Sequence, residues 1–504
     1  MSPRKTQPTL LLLLLAACAP AHRPRGAANV EPVPVTTAAP RVPGEKLLGL
    51  LPKVLALPGE REPLSIFVDL RRQADLGALA SDMDRRRLPR RERRPYVIAA
   101  LRAVAADGAR TLEPLLSELK AKGEVESYRG HVIVSRYWVV AAKSAVLRLA
   151  EEPEVDAIRW ADEQKVLTPD RQGRAPDSQD EEAGLEPLAS PDPFAWAPEA
   201  IGATRLWEMG LSGAGVVVAS LDSGVDLAHE QLRDGYRGGA GSWLDPMGGT
   251  PEPRDPVGHG TGVLACAVGR NPRGTRIGVA PGATWVAANV FHEGSTHPVP
   301  ILAAADWVLT VAAPDVVVNP WMRPGDSCDP FYERVLGVWR LAEIFAVFAA
   351  GNAGPRPGVN HSPSNTMQVP PDGAPAFSVG ASARAGRVAD LSSRGPSRCG
   401  GGIFPQVCAP GYMLRTAQAG APHTYHFGWG SSYAAGVAGG AAALLVQAYP
   451  EAPVRELEAA LRETAKDIGP SGPDNDCGYG LIDLPAALDW LRARHGRPHG
   501  GSKR

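Results

Sequence analysis

Residues 216–224 read Val-Val-Val-Ala-Ser-Leu-Asp-Ser-Gly, and two further apolar runs follow along the chain, Trp285-Val-Ala-Ala288 and Asp315-Val-Val-Val318. Continuous apolar runs of this length are typical of strands that are covered on both faces of a parallel sheet. Helical stretches alternate with such strands from about residue 193 to residue 491, in the order that an α/β fold requires. We therefore predict an α/β domain of residues 193–491, in which helices cover both faces of a parallel sheet.

Four polar side chains lie where a predicted strand ends or a predicted helix begins. Asp222 ends the first apolar run, and Asn352 follows another run that closes in Ala-Ala-Gly. His259 stands between glycines before an apolar stretch, and Ser432 opens a helical stretch of small residues. Taken singly, each has an ordinary structural explanation, since acids and serines commonly cap helices and histidines occur in loops. Because catalytic groups gather at the carboxyl ends of parallel strands, we consider the four residues together.

Together these residues supply every role that acyl transfer needs. Ser432 is the candidate nucleophile, His259 its general base, and Asp222 the group that orients the imidazole and stabilises its charged form. Asn352 and the backbone amide of Ser432 are the candidate donors to the oxyanion. The start of a helix also favours developing negative charge, which suits the position of Ser432.

The order Asp, His, Ser along the chain is that of subtilisin, and residues 196–491 resemble the subtilisin-like serine proteases, or subtilases. Three further stretches look like blocks of this family, namely Ile277-Gly-Val-Ala-Pro-Gly282, Leu391-Ser-Ser-Arg-Gly-Pro396 and Ala409-Pro-Gly411. Residues 314–321 and 201–203 are similar to the bacillopeptidase F branch of the family. The resemblance implies a subtilisin-like fold and a serine endopeptidase whose partner is a protein or peptide substrate.

Several residues depart from the usual pattern of the family. Gly262 stands where the second histidine of His-Gly-Thr-His is usual, and Pro320 and Met322 replace Ser and Gly in the strand that lines the specificity pocket. The serine block departs at four more positions, which are Ser431, Tyr433, Gly436 and Val437. None of these changes removes a proton-transfer or oxyanion group, so we expect the reaction class to be kept. Ser431 lies next to the candidate nucleophile, but an ungapped match to the family block favours Ser432.

Residues 51–165 mix strand-like and helical segments, which predicts a small α+β domain. The predicted strands are 64–70, 131–134, 137–140 and 154–160, and the predicted helices are 113–120 and 143–151. This domain is similar to the inhibitory propeptide of the bacillopeptidase F branch, which implies an intramolecular inhibitor and a zymogen. Residues 166–192 are predicted to be a linker within which the chain cuts itself, and residues 492–504 a frayed basic tail.

The arginines between residues 85 and 94 form a basic run. We interpret this run as a solvated helix or loop face, with a processing site or an anion contact as the alternative.

The N-terminus has the pattern of an export signal. A basic patch at Arg4-Lys5 precedes the apolar run 10–15 and the ending Leu15-Ala-Ala-Cys18. The order predicts a signal peptide of residues 1–17, and its similarity to a bacterial lipobox implies lipid attachment at Cys18. An ordinary signal peptide is the alternative. Residues 18–50 are rich in Pro and Ala and are predicted to be a tether. We therefore expect the protein to be exported, anchored at the cell envelope by lipid alone, and released from it after processing.

The amino-acid composition limits the classes of partner and ligand that the protein can have. The 504 residues include 53 Lys and Arg against 54 Asp and Glu, a net charge of −1, which argues against an electrostatic grip on nucleic acid. Six cysteines are too few for a disulfide scaffold, and with Cys18 acylated the remaining odd number leaves at least one thiol unpaired. Calcium is considered as a structural ion, although no loop has a secure ligand pattern.

Two functions from different classes fit these observations. The first is an exported serine endopeptidase that is made as an inhibited zymogen. The alternative is a lipid-anchored binding or scaffold protein that keeps the fold with a degraded site, and the departures around Ser432 motivate it.

Overall fold

The computed structural model describes residues 33–56, 63–161, 166–167 and 196–499, apart from gaps at 247, 271, 275, 292–294, 323–327, 329, 357, 359–361 and 363–368. We call residues 33–161 the N-terminal unit and residues 196–499 the C-terminal unit. The predicted signal peptide, Cys18 and nearly all of the predicted linker lie outside the described residues.

The C-terminal unit is built on a seven-stranded sheet in which every pair of neighbouring strands is parallel. In spatial order the strands are Trp243–Leu244, Thr284–Asn289, Val217–Asp222, Val316–Asn319, Phe345–Ala349, Ser378–Ser382 and Val407–Pro410. The predicted parallel α/β fold is therefore confirmed. The three apolar runs of the sequence fall on three adjacent strands, because a strand covered on both faces needs apolar residues at every position.

Helices cover both faces of this sheet. The cluster on one face includes Val218, and the cluster on the other face includes its neighbour Ala219, as the alternation of side chains along a strand requires. The helices of the unit are Trp196–Ala200, Ala203–Glu208, His259–Val268, Pro298–Trp307, Glu333–Leu341, Ser431–Ala448, Val454–Glu463 and Leu484–His495.

Two of these helices pack unusually closely, and this close packing positions the candidate site. A Cβ on Gly436, in the helix Ser431–Ala448, would lie only 2.5 Å from the carbonyl oxygen of Val263, in the helix His259–Val268. A side chain there would force the helices apart, so the glycine allows backbone to meet backbone. The contact holds the first turns of the two helices, which carry Ser432 and His259, in the same region.

The N-terminal unit contains a five-stranded mixed sheet. Its strands, in spatial order, are Leu47–Leu48, Val155–Trp160, Leu64–Leu70, Arg136–Ala141 and Val125–His131. Its helices are Pro43–Lys46, Leu51–Ala56, Leu76–Arg85, Arg90–Ala121 and Lys143–Glu151. Strands 64–70, 137–140 and 154–160 are confirmed to within two residues. The predicted helix 113–120 is the end of a 32-residue helix, Arg90–Ala121. Its full length was not predicted because Pro95 and Pro114, which lie within it, usually interrupt helices.

The predicted strand 131–134 is wrong beyond its first residue. The strand ends at His131, and the amides of Val132 and Ile133 donate instead to the carboxylate of Asp306, at 3.0 and 2.8 Å. Because Asp306 belongs to the C-terminal unit, local sequence carries no trace of this partner.

Both ends of the described chain are more ordered than we expected. Val35–Thr37 pairs with Arg72–Ala74, and Leu47–Leu48 pairs with the strand Val155–Trp160, so the tether predicted for residues 18–50 does not extend to residue 50. At the other end, the last helix continues to His495, whose ring contacts Glu456 at 2.6 Å. The basic tail is therefore not frayed at its start.

The basic run is not simply a solvated face. Arg90 is 8% exposed and donates to the backbone carbonyl of Glu343 at 3.2 Å, while Arg94 donates to the carbonyl of Pro314. Both acceptors lie in the C-terminal unit, so part of the run joins the two units. Charge alone could not distinguish this contact from solvation, since the acceptors lie more than 200 residues away.

The described residues contain two disulfides, Cys328–Cys399 and Cys408–Cys477. Cys266 is the free cysteine of the described part and is buried, in agreement with the predicted unpaired thiol. Burial raises the pKa of its thiol to about 12, so it does not form a reactive thiolate near neutral pH. Among the described helices, none is long and apolar enough to span a bilayer.

Candidate active site

Asp222 and His259 meet at the carboxyl end of an inner strand of the seven-stranded sheet. Asp222 is the last residue of Val217–Asp222, and His259 is the first residue of the helix that follows it in the chain. The Nδ1 atom of His259 lies 2.8 and 2.9 Å from the two carboxylate oxygens of Asp222, which is 1% exposed. Burial lowers the pKa of the His259 imidazole, but the neighbouring carboxylates, Asp222 foremost, outweigh this and hold the pKa above its ordinary value.

A further buried acid, Asp255, fixes the start of the His259 helix. Its carboxylate accepts hydrogen bonds from the Ser223 hydroxyl (2.9 Å) and from the backbone amides of Gly258 (2.7 Å) and Thr261 (2.8 Å). Burial raises the pKa of the Asp255 carboxyl, although these hydrogen bonds oppose the shift. Asp255 is not among the site residues predicted from the sequence; its signal there is an acid a few residues before a helix start.

Ser432 is fully buried at the second position of its helix, but its hydroxyl makes no hydrogen bond to His259 in this structure. The Oγ atom donates to the backbone carbonyl of Pro320 at 3.0 Å, and the Nε2 atom of His259 has no hydrogen-bond partner within the described part of the chain. A neutral hydrogen bond of this kind contributes about 1 kcal/mol, so rotating the hydroxyl away from Pro320 costs little.

The hydroxyl of Ser431, the alternative nucleophile, both accepts and donates a hydrogen bond. Its Oγ atom accepts from the backbone amide of Gly351 and donates to Oδ1 of Asn352, both at 2.9 Å. The backbone amide of Ser431 donates to the same Oδ1 at 2.9 Å. Two donors on one oxygen fix the plane of the Asn352 amide. Ser431 therefore orients Asn352, and Ser432 remains the candidate nucleophile.

The nitrogen of the Asn352 side-chain amide also lies close to the start of the Ser432 helix. A Cβ on Gly430, whose φ is +132°, would lie 2.9 Å from Nδ2 of Asn352. Only glycine suits this position, because a side chain would collide with the amide and the backbone conformation is strained for other residues. The first four amides of a helix have no partner within it, so Ser432 N–H has no intrahelical partner, and Nδ2 of Asn352 lies close to the same helix start.

Comparison with known proteins decides the family. The model of the subtilase family matches residues 213–480, slightly more than half of the chain. The chain belongs to the subtilase family.

Curated relatives extend this assignment. The chain is 31% identical over 436 residues to bacillopeptidase F of Bacillus subtilis (strain 168), an alignment that covers 81% of this chain and 29% of that protein. It is 27% identical over 293 residues to the minor extracellular protease Epr of the same strain, covering 58% and 41%. It is 28% identical over 309 residues to an alkaline protease of Shouchella clausii, covering 61% and 73%. This subtilase thus spans less than a third of the length of bacillopeptidase F.

The departures from the family pattern lie around the candidate site of this subtilase. Met322 is half-buried, and its sulfur accepts from the backbone amide of Asn352 at 3.2 Å, so the side chain lies beside the candidate oxyanion donor. Pro320 supplies the carbonyl that holds the Ser432 hydroxyl. Within the described ranges, no group of three or more His, Cys, Asp or Glu side chains is placed to hold a metal ion.

Proposed function

We propose that this subtilase is an exported serine endopeptidase that hydrolyses peptide bonds through an acyl-enzyme and is made as a zymogen. The observation that carries the proposal is the contact of the buried Asp222 carboxylate with Nδ1 of His259. With the Nδ1 proton held by Asp222, the lone pair of Nε2 is free to act as a base.

The proposed reaction uses each group at a stated atom. When substrate binds, the Ser432 hydroxyl turns from Pro320 to His259, passes its proton to Nε2, and attacks the carbonyl carbon. The oxyanion is bound by Nδ2 of Asn352 and the amide of Ser432, and His259 then gives the proton to the leaving amine. Water repeats the sequence to release the acid. Catalytic hydrogen bonds are often loose before substrate binds, which agrees with the position of the Ser432 hydroxyl.

The contacts between the two units support an inhibited zymogen. Residues Val166–Leu167, just beyond the N-terminal unit, pair antiparallel with Ser295–Thr296 of the C-terminal unit. The two segments form a two-stranded sheet of their own. Main-chain pairing with an extended segment is a common way in which proteins bind peptides. We infer that the end of the N-terminal unit occupies a peptide-binding segment, Ser295–Thr296, and that the enzyme cuts its own chain between about residues 167 and 192.

Docking of the N-terminal unit depends on Asp306. Besides the two amides of Val132 and Ile133, its carboxylate contacts Nδ1 of His131 at 2.7 Å, and the His131 ring is fully buried. Nearby, Arg136 lies over the ring of Phe331, 4.3 Å from its centroid. We propose that this patch holds the N-terminal unit in place after the chain is cut.

Replacing Asp306 by alanine should shorten the delay between self-cleavage and the appearance of peptidase activity. The change removes three hydrogen bonds at about 1 kcal/mol each, so the cut N-terminal unit should be held about 100-fold less tightly. Intact-mass analysis gives the time of cleavage, and a fluorogenic peptide gives the onset of activity.

The matched control is Asp234→Ala, since the Asp234 side chain is 65% exposed and contacts only its neighbour Arg233 among the described residues. It should leave the delay unchanged. A delay for Asp306→Ala that equals that of the wild type would contradict docking through this carboxylate.

A fluorophosphonate probe tests the proposed function directly. The probe should label the processed protein, and peptide mass spectrometry should place the label on Ser432. If Cys18 carries lipid, labelled protein should move from the membrane fraction to the soluble fraction on processing, because the lipid stays with the N-terminal fragment.

One observation favours a second function. The Ser432 hydroxyl donates its hydrogen bond to the carbonyl of Pro320 and not to His259, which is also the arrangement expected of a degraded site. The alternative is therefore a lipid-anchored binding or scaffold protein with the subtilase fold. Complete absence of labelling after removal of the N-terminal unit would favour that alternative.

A further inference from the structure

Two departures from the family pattern, Gly262 and Tyr433, lie against one another. A Cβ on Gly262 would lie 3.2 Å from Cε1 of Tyr433 and 3.3 Å from Cε1 of His426. On another side, a Cβ on Gly428 would lie only 2.2 Å from Cε1 of Tyr433. The tyrosine ring therefore fills a slot that a side chain on Gly428 would close and that a side chain on Gly262 would narrow.

The same ring borders the candidate general base. The centroids of the Tyr433 ring and the His259 imidazole are 5.9 Å apart, and their planes meet at 69°. Tyr433 is 8% exposed, so the contact is largely shielded from water. Because Tyr433 directly follows Ser432, a single turn of helix carries both the candidate nucleophile and the ring that packs against the His259 imidazole.

The strand on the other side of the Tyr433 ring, which carries His426, is anchored by hydrogen bonds. His426 lies on the strand Tyr425–Gly428, and its Nε2 atom is 3.5 Å from the Tyr433 hydroxyl. The neighbouring Tyr425 hydroxyl donates to Glu230 at 2.7 Å, in the loop that follows the Asp222 strand. Burial, and next the nearby His259, lower the pKa of His426, so it adds no second positive charge beside the imidazolium of His259.

We propose that Tyr433 is a positioning residue for His259: its ring, seated between Gly262 and Gly428, fixes the orientation of the imidazole that receives the Ser432 proton. The inference rests on the proposed function. A fixed imidazole matters here because the Ser432 hydroxyl must leave Pro320 and find Nε2 already in place. Small errors in such a geometry cost large factors in rate.

The test compares a variant that keeps the ring with one that keeps only the apolar volume. Tyr433→Phe should retain kcat within about threefold, whereas Tyr433→Leu should lower kcat by about 10- to 100-fold with KM within about twofold. The rate of fluorophosphonate labelling should fall by the same factor as kcat. A purely structural role, which Phe would fulfil equally well, would not lower kcat selectively while leaving KM and the fold unchanged in Tyr433→Leu.

Gly262→Ala provides a second, independent variant. Its added Cβ should displace the ring and lower kcat by about tenfold, but it should have little further effect in combination with Tyr433→Leu, because the ring it would displace is then absent. If Tyr433→Leu does not fold, Tyr433→Met serves in its place, since an unbranched side chain adapts to an irregular slot.

Four results would overturn the inference: a wild-type kcat for Tyr433→Leu, an equal loss in Tyr433→Phe, a change confined to KM, or additive effects of the two substitutions. Failure of the proposed function looks different. In that case the processed wild type itself neither cleaves peptides nor reacts with the probe, whereas failure of the positioning role leaves an active wild type.

Discussion

Replacing Ser432 by alanine should lower kcat by about 10⁵- to 10⁶-fold while KM changes little. The expected loss is this large because removing the nucleophile ends the acyl-enzyme route and leaves only binding and oxyanion stabilisation. The same variant should remain at the mass of the unprocessed chain, since we propose that the chain cuts itself. Intact mass of secreted wild type and Ser432→Ala, together with peptide kinetics, measures both effects.

Ser431→Ala is the matched control, because it removes a neighbouring hydroxyl of the same size. The Ser431 hydroxyl donates to Asn352 and accepts from Gly351, so its loss should loosen the candidate oxyanion donor and lower kcat by about tenfold. Processing should still occur. The reverse order, with Ser431→Ala inactive and Ser432→Ala active, would move the nucleophile to Ser431.

The candidate site was predictable from sequence to the extent that chain order and local pattern define it. Asp222 and Asn352 follow apolar runs that the parallel sheet buries, and Ser432 opens a helix of small residues, so each residue carried a local signal. The contact of Asp222 with His259 then follows from the fold, because strand ends and helix starts share one edge of the sheet.

Features that depend on distant partners were not predictable. Tyr433 was a mere departure from the family pattern until the structure placed it between Gly262 and Gly428 and against His259. Arg90 looked like one member of a solvated run because its partner, Glu343, lies in the other unit. In each case the sequence records the residue type, whereas the contact arises only from tertiary packing.

Asp222→Asn should be the most damaging change after loss of the nucleophile, with kcat about 10⁴-fold lower. An amide can present its NH₂ group to Nδ1 of His259, which would favour the tautomer whose Nε2 carries the proton and cannot accept another. The variant also removes the carboxylate that raises the pKa of His259. His259 must be neutral to act as a base, so activity is lost as pH falls through its pKa, and in Asp222→Asn this loss should move to lower pH.

The pH dependence of kcat/KM for the wild type, Asp222→Asn and Asp226→Asn measures both parts of this expectation. Asp226 is a suitable control, since it lies in the loop beyond Asp222 and its carboxylate accepts hydrogen bonds from the backbone amides of Ala228 and Gly420. It should keep activity within about threefold, because an asparagine oxygen still accepts one of these bonds. Activity of Asp222→Asn within tenfold of the wild type, or an acid limb that stays in place, would mean that Asp222 does not govern the tautomer and pKa of His259, as the proposed reaction requires.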